Sequence, residues 1–129
     1  MTQHPYFSPD QSDCVLHALA PFDPAVIYLF GSFGGPSQHP QSDIDIAFLP
    51  ATPITPLACF HLASELAEKL GHPVDLIDLT QASTVLAKEV FLTGTPLAIN
   101  HPAIYQQFEM LALADYARLN EERQAVLTR

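Results

Sequence analysis

Apolar and polar positions along this chain follow two periods, one of strands and one of helices. Ala25 to Phe30 (AVIYLF) is an apolar, β-branched and aromatic run that predicts a buried strand, and Ile44 to Leu49 predicts a second. Val74 to Leu79 (VDLIDL) predicts a third strand, and Leu97 to Ile99 a short fourth. Helical spacing fills the intervals. Ser8-Pro9-Asp10-Gln11 places a capping hydroxyl, a proline at the first helical position and a glutamine three on, predicting a helix from Pro9 to Ala20 that Pro21 and Pro24 stop. Pro50 to Thr55 reads as a linker. Thr55-Pro56 then caps a helix to Leu70, with Leu57, Phe60, Ala63, Leu66, Ala67 and Leu70 assigned to one apolar face and Gly71 as its C-cap. Thr80 is expected to cap a helix from Gln81 to Leu92, closed by Gly94. Asn100 opens a last helix to about Leu127 with a wide stripe of Ile104, Tyr105, Phe108, Leu111, Ala112 and Leu119. The pattern predicts one α/β domain over residues 1–129, with a mixed sheet of about four strands flanked by helices.

The candidate chemistry lies between the first two strands. Gly31-Ser32 follows the first strand, ten residues intervene (Phe33 to Ser42), and Asp43-Ile44-Asp45 opens the second. Alternation projects Asp43 and Asp45 from one side, about 7 Å apart along the strand, and turns Ile44, Ile46 and Phe48 into a core. Two carboxylates so close repel unless a cation sits between them. Mg2+ is held by one or two carboxylates plus substrate phosphates, and a glycine-hydroxyl turn after a strand lets backbone N–H groups approach those phosphates. The turn-rich segment Phe33 to Pro40, which holds His39, supports at most a short irregular helix and is expected to be the active-site loop. An acid on the third strand completes the set. Asp75 shares a face with Ile77 and Leu79, Asp78 with Val74 and Leu76, and periodicity does not choose between the two.

Gly-Ser, ten residues, Asp-x-Asp resembles the signature of the DNA polymerase beta-type nucleotidyltransferase superfamily. The resemblance is strongest to its minimal nucleotidyltransferase (MNT) members, the antitoxins of HEPN–MNT toxin–antitoxin pairs, and it spans most of the chain. It implies a polymerase beta-like fold and selects Asp75 as the third metal-site acid. It further implies that Asp43, Asp45 and Asp75 hold a pair of Mg2+ ions, that Gly31 and Ser32 bind the phosphates, and that AMP passes from ATP to a tyrosine of a HEPN ribonuclease toxin, silencing it. The pattern departs in one place. Related minimal transferases carry an arginine soon after the Gly-Ser turn, whereas Phe33-Gly34-Gly35-Pro36 offers no positive charge.

Charge bears on the partner. Fourteen acidic against five basic residues give a formal charge of −9 at pH 7, which repels nucleic-acid phosphates and favours a protein with a basic face. No apolar run approaches the length of a membrane span and MTQHPYFSPD lacks a secretory pattern, so a cytoplasmic protein is expected. Cys14 and Cys59 lie outside any CxxC pattern and are expected as reduced core thiols, and the six histidines show no metal-ligand spacing. Phe60, Phe91, Tyr105 and Phe108 are assigned to the core. Two other readings stay open: a transferase acting on a cationic small molecule such as an aminoglycoside, and an antitoxin that acts by binding alone. The oligomeric state, homo- or hetero-oligomer, stays open.

Overall fold

The computed structural model describes residues 7–31 and 43–127. Ser32 and the expected active-site loop from Phe33 to Pro40 lie outside the described residues.

Helix α1 (Pro9–Leu19) starts with a reciprocal cap: Gln11 N–H donates to Ser8 Oγ at 3.1 Å, and Ser8 N–H to Gln11 Oε1 at 2.8 Å. It ends one residue earlier than expected, in a short 3-10 turn (Ala20–Phe22), and Asp23 at φ 47° turns the chain into β1 (Pro24–Phe30). Strand β2 spans Ile44–Pro50. Helix α2 (Pro56–Leu70) is capped by Thr55 Oγ1, which accepts from Ala58 N–H at 3.1 Å, and closes on the left-handed Gly71. Strand β3 (Val74–Asp78), helix α3 (Thr84–Thr93), strand β4 (Thr95–Ile99) and helix α4 (Pro102–Leu127) follow.

The sheet order is β3-β2-β1-β4, with β1 antiparallel to β2 and β4, and β2 parallel to β3. This is the expected mixed sheet of four strands flanked by helices. On one face Ile27, Leu29, Ile44, Ile46, Phe48 and Leu76 pack with Val15 and Leu19 of α1 and Leu66 of α2. On the other, Val26, Tyr28, Ala47 and Leu49 pack with Val90 of α3 and with Tyr105 and Phe108 of α4. Tyr28 stands edge-on to Phe91 and Tyr105, with centroids 5.7 and 6.2 Å away, and burial followed by its hydrogen bond with Tyr105 pushes its hydroxyl's pKa up. Asn100 ties the start of α4 to β1 through Nδ2 on the Pro24 carbonyl, at 2.9 Å.

Several expectations are corrected. Thr80 does not cap α3. Its N–H and hydroxyl both donate to Asp78 Oδ1, at 2.9 and 2.6 Å, and Ser83 Oγ accepts from Leu86 N–H instead. Leu57 and Phe60 of α2 are 65% and 66% exposed, so Phe60 is not a core residue. At about 100° per residue Leu57 lies roughly half a turn from Leu66, and the face that packs is Cys59, Leu62, Ala63, Leu66 and Leu70. In α4 the inward line is Tyr105 and Phe108, while Ile104 and Leu111 are exposed. Cys14 and Cys59 are free and half-buried. No helix among the described residues is long and apolar enough to cross a membrane.

Candidate active site

Three acids approach one another at the end of the sheet where β1 stops. Asp43 stands exposed immediately before β2, Asp45 is half-buried within it, and Asp75 is exposed on β3. The β2–β3 register makes Asp45 and Asp75 partners, so their Cα atoms sit on neighbouring strands about 5 Å apart. Side-chain alternation puts Asp43, Asp45 and Asp75 on the face that packs against α3 and α4, and Asp78 on the face toward α2. Of the two acids that periodicity put on opposite faces, register sets Asp75 beside Asp45, and Asp78 is occupied in its own turn with Thr80.

Gly31 closes the site from the β1 side. Phe30 is paired with Asp45, and the next residue adopts φ +81°, a backbone that side-chain-bearing residues rarely take. A Cβ on Gly31 would overlap Asp45 Oδ2 and come within 3.0 Å of its Cγ. Glycine at this position thus gives the Asp45 carboxylate its space, a role that the sequence pattern, which suggested phosphate contact, did not disclose.

The electrostatics follow from this crowding. Partial burial, then the charges of Asp75 and Asp43, push the Asp45 carboxyl up from 3.8 to about 6. Near neutral pH the cluster holds negative charge under strain, which a cation would relieve. The donors are carboxylate oxygens, the kind that hard divalent cations take. As placed, no three acidic, histidine or cysteine side chains among the described residues stand close enough to hold one ion together.

Residues 17–102 match the family described as polymerase beta, nucleotidyltransferase. The chain belongs to the polymerase beta nucleotidyltransferase family. Among the relatives of this nucleotidyltransferase is the protein adenylyltransferase MntA of Shewanella oneidensis, 42% identical over 105 residues, which are 79% of this chain and 73% of that protein. A crystal structure of a toxin–antitoxin with AMP-PNP superposes with a TM-score of 0.80 at 36% identity, covering 91% of this nucleotidyltransferase and 95% of that chain. A structure of the tri-AMPylated Shewanella oneidensis HEPN toxin in complex with MNT antitoxin matches with a TM-score of 0.76 at 34% identity, covering 92% and 93%. The polymerase beta-like fold expected from the Gly-Ser and Asp-x-Asp pattern is therefore the fold of this nucleotidyltransferase.

Proposed function

We propose that this nucleotidyltransferase is an antitoxin that transfers AMP from ATP to a tyrosine hydroxyl of a HEPN-type toxin partner, and that residues 1–129 act as one minimal domain. The observation that carries the reading is the register of Asp45 opposite Asp75, with Gly31 held against the Asp45 carboxylate. The relatives add support, since they are an adenylyltransferase and toxin–antitoxin complexes, one with an ATP analogue and one with AMP already on the toxin.

In the reaction the acceptor oxygen attacks the α-phosphorus of ATP, the bond from that phosphorus to the bridging oxygen breaks, and pyrophosphate departs. Asp75 is exposed beside Asp45 and is assigned to receive the acceptor's proton. Asp43, Asp45 and Asp75 are the residues that would hold Mg2+ ions, two by this reading, and Gly31 and Ser32 the residues that would hold the departing phosphates. Bound Mg2+ supplies neutralisation of phosphate charge and of the acids themselves. The free thiols of Cys14 and Cys59 and the need for ATP accord with a cytoplasmic setting.

The test is to incubate the purified chain with ATP labelled in the α-phosphate, Mg2+ and, separately, its HEPN-type partner or an aminoglycoside. Label on the partner's tyrosine is expected. Label on the antibiotic, or a tight complex with the partner and no label under any condition, would replace this reading.

A further inference from the structure

A groove of about 620 Å³ runs between α2 and β3, and Asp75 is part of its lining. Phe60, Ala63, Ala67 and Leu76 form its apolar wall, Asp78 is the acid on its face, Asp75 borders it from the edge strand, and none of its lining residues is basic. Phe60 and Leu57, one turn apart on α2 and each about two-thirds exposed, make an apolar lip.

Among the described residues β3 is the end strand of the sheet on this side. Ile44 N–H donates to the Pro73 carbonyl and Leu79 N–H to the Phe48 carbonyl, so in this parallel pair residues 73, 75, 77 and 79 turn their backbone toward β2. The backbone groups of Val74, Leu76 and Asp78 therefore point off the edge. The Cys59 thiol reaches this row, at 3.5 Å from the Leu76 carbonyl. Burial, then Asp78, then Asp75 push that thiol's pKa up, so this end of the groove carries a negative field.

A strand laid beside β3 would send alternate side chains into the groove and onto the acid face, where Asp75 stands. We infer that the acceptor protein presents its hydroxyl on an extended segment that adds to β3 as a fifth strand. The hydroxyl-bearing residue lies on the acid face, its apolar neighbours sit against Phe60, and a basic side chain meets Asp78. Asp78 Oδ1 is engaged by Thr80, which leaves Oδ2 for that cation. Charge selects the same occupant, since the groove is acidic on a chain of formal charge −9. The inference rests on the adenylyl transfer proposed above and specifies how the acceptor is held.

The experiment combines steady-state transfer to the HEPN-type partner with amide hydrogen exchange of the full chain, with and without that partner. Phe60→Glu is expected to raise KM for the partner about tenfold or more, the loss of one buried aromatic contact. Asp78→Asn keeps the Thr80 turn and is expected to raise KM about two- to fivefold at low salt only. Both should keep kcat and ATP affinity, and Leu111→Glu, an exposed apolar position on α4, should leave KM alone. The amides of Val74, Leu76 and Asp78 should gain protection when the partner binds. Wild-type KM in both groove variants overturns the inference, as does an equal rise in Leu111→Glu, or a chain that self-associates through Phe60 with KM unmoved. If the wild-type chain labels no partner, the adenylyl-transfer reading fails instead, and partner-induced protection of the edge amides still decides whether β3 is the docking strand.

Discussion

At the scale of single residues, Asp45 concentrates the physics of the site. Its folded pKa of about 6 lies above the ordinary 3.8, so the fold disfavours its ionised form. The penalty is absent below about pH 4, grows as pH rises through 6, and is complete by neutral pH. In chelator, thermal stability of the wild-type chain should therefore fall relative to Asp45→Asn between pH 4.5 and 7.5; a difference between the two that does not change with pH would contradict this origin of the shift. Gly31 gives a second prediction. Gly31→Ala adds a Cβ into the Asp45 carboxylate on a backbone at φ +81°, so it should lower both the melting temperature and transfer, with a stability loss on the order of 1–3 kcal/mol by calorimetry. Unchanged stability would mean that the turn relaxes freely. The importance of Gly31 was legible in the sequence, but its contact with Asp45 was not, because that contact depends on the pairing of Phe30 with Asp45 across two strands.

At the scale of elements, what was legible is what is local. Ser8, Thr55 and Gly71 cap their helices as read, because each cap is satisfied within a few residues. Thr80 is not the cap because its N–H and hydroxyl hold it in a turn on the Asp78 carboxylate and α3 starts only at Thr84, which puts Ser83 at the N-cap, a local competition that composition does not rank. Leu57 and Phe60 of α2 lie off its packed face, since a list of apolar positions does not by itself fix a face. Strand β3 shows the limit most clearly: alternation separated Asp75 from Asp78, but only the long-range register with β2 set one of them beside Asp45 and made this strand an edge. The corresponding prediction is that Asp75→Asn lowers kcat for transfer about a hundredfold or more, as for loss of a positioned base, and Asp78→Asn leaves kcat in place. A kcat loss confined to the Asp78 variant would reverse the facing of the strand. Ser83→Ala should cost about 1 kcal/mol in a denaturation experiment and Thr80→Gly should leave the start of α3 intact, as hydrogen exchange in its first turn would report.

At the scale of the whole molecule, a formal charge of −9 and an arginine-poor segment after Gly31 set how the site meets its ligands. Three acids, the first of them preceded by a segment without lysine or arginine, repel a triphosphate, so ATP should bind weakly to the isolated chain and more tightly in complex with a basic partner. Association with that partner should slow as ionic strength rises, because screening shortens the reach of the attraction. Titrating ATP into the chain and into the complex at two salt concentrations checks both. Equal ATP affinity and salt-independent association would leave the absent arginine uncompensated. Whether the acids at the start of β2 serve the transfer is tested most directly by following labelled AMP onto the HEPN-type partner with wild-type, Asp43→Asn and Asp45→Asn chains in saturating Mg2+, each checked for native folding. Label on the partner with the wild type and none above background with either variant is the predicted result; near wild-type transfer by either variant would contradict it.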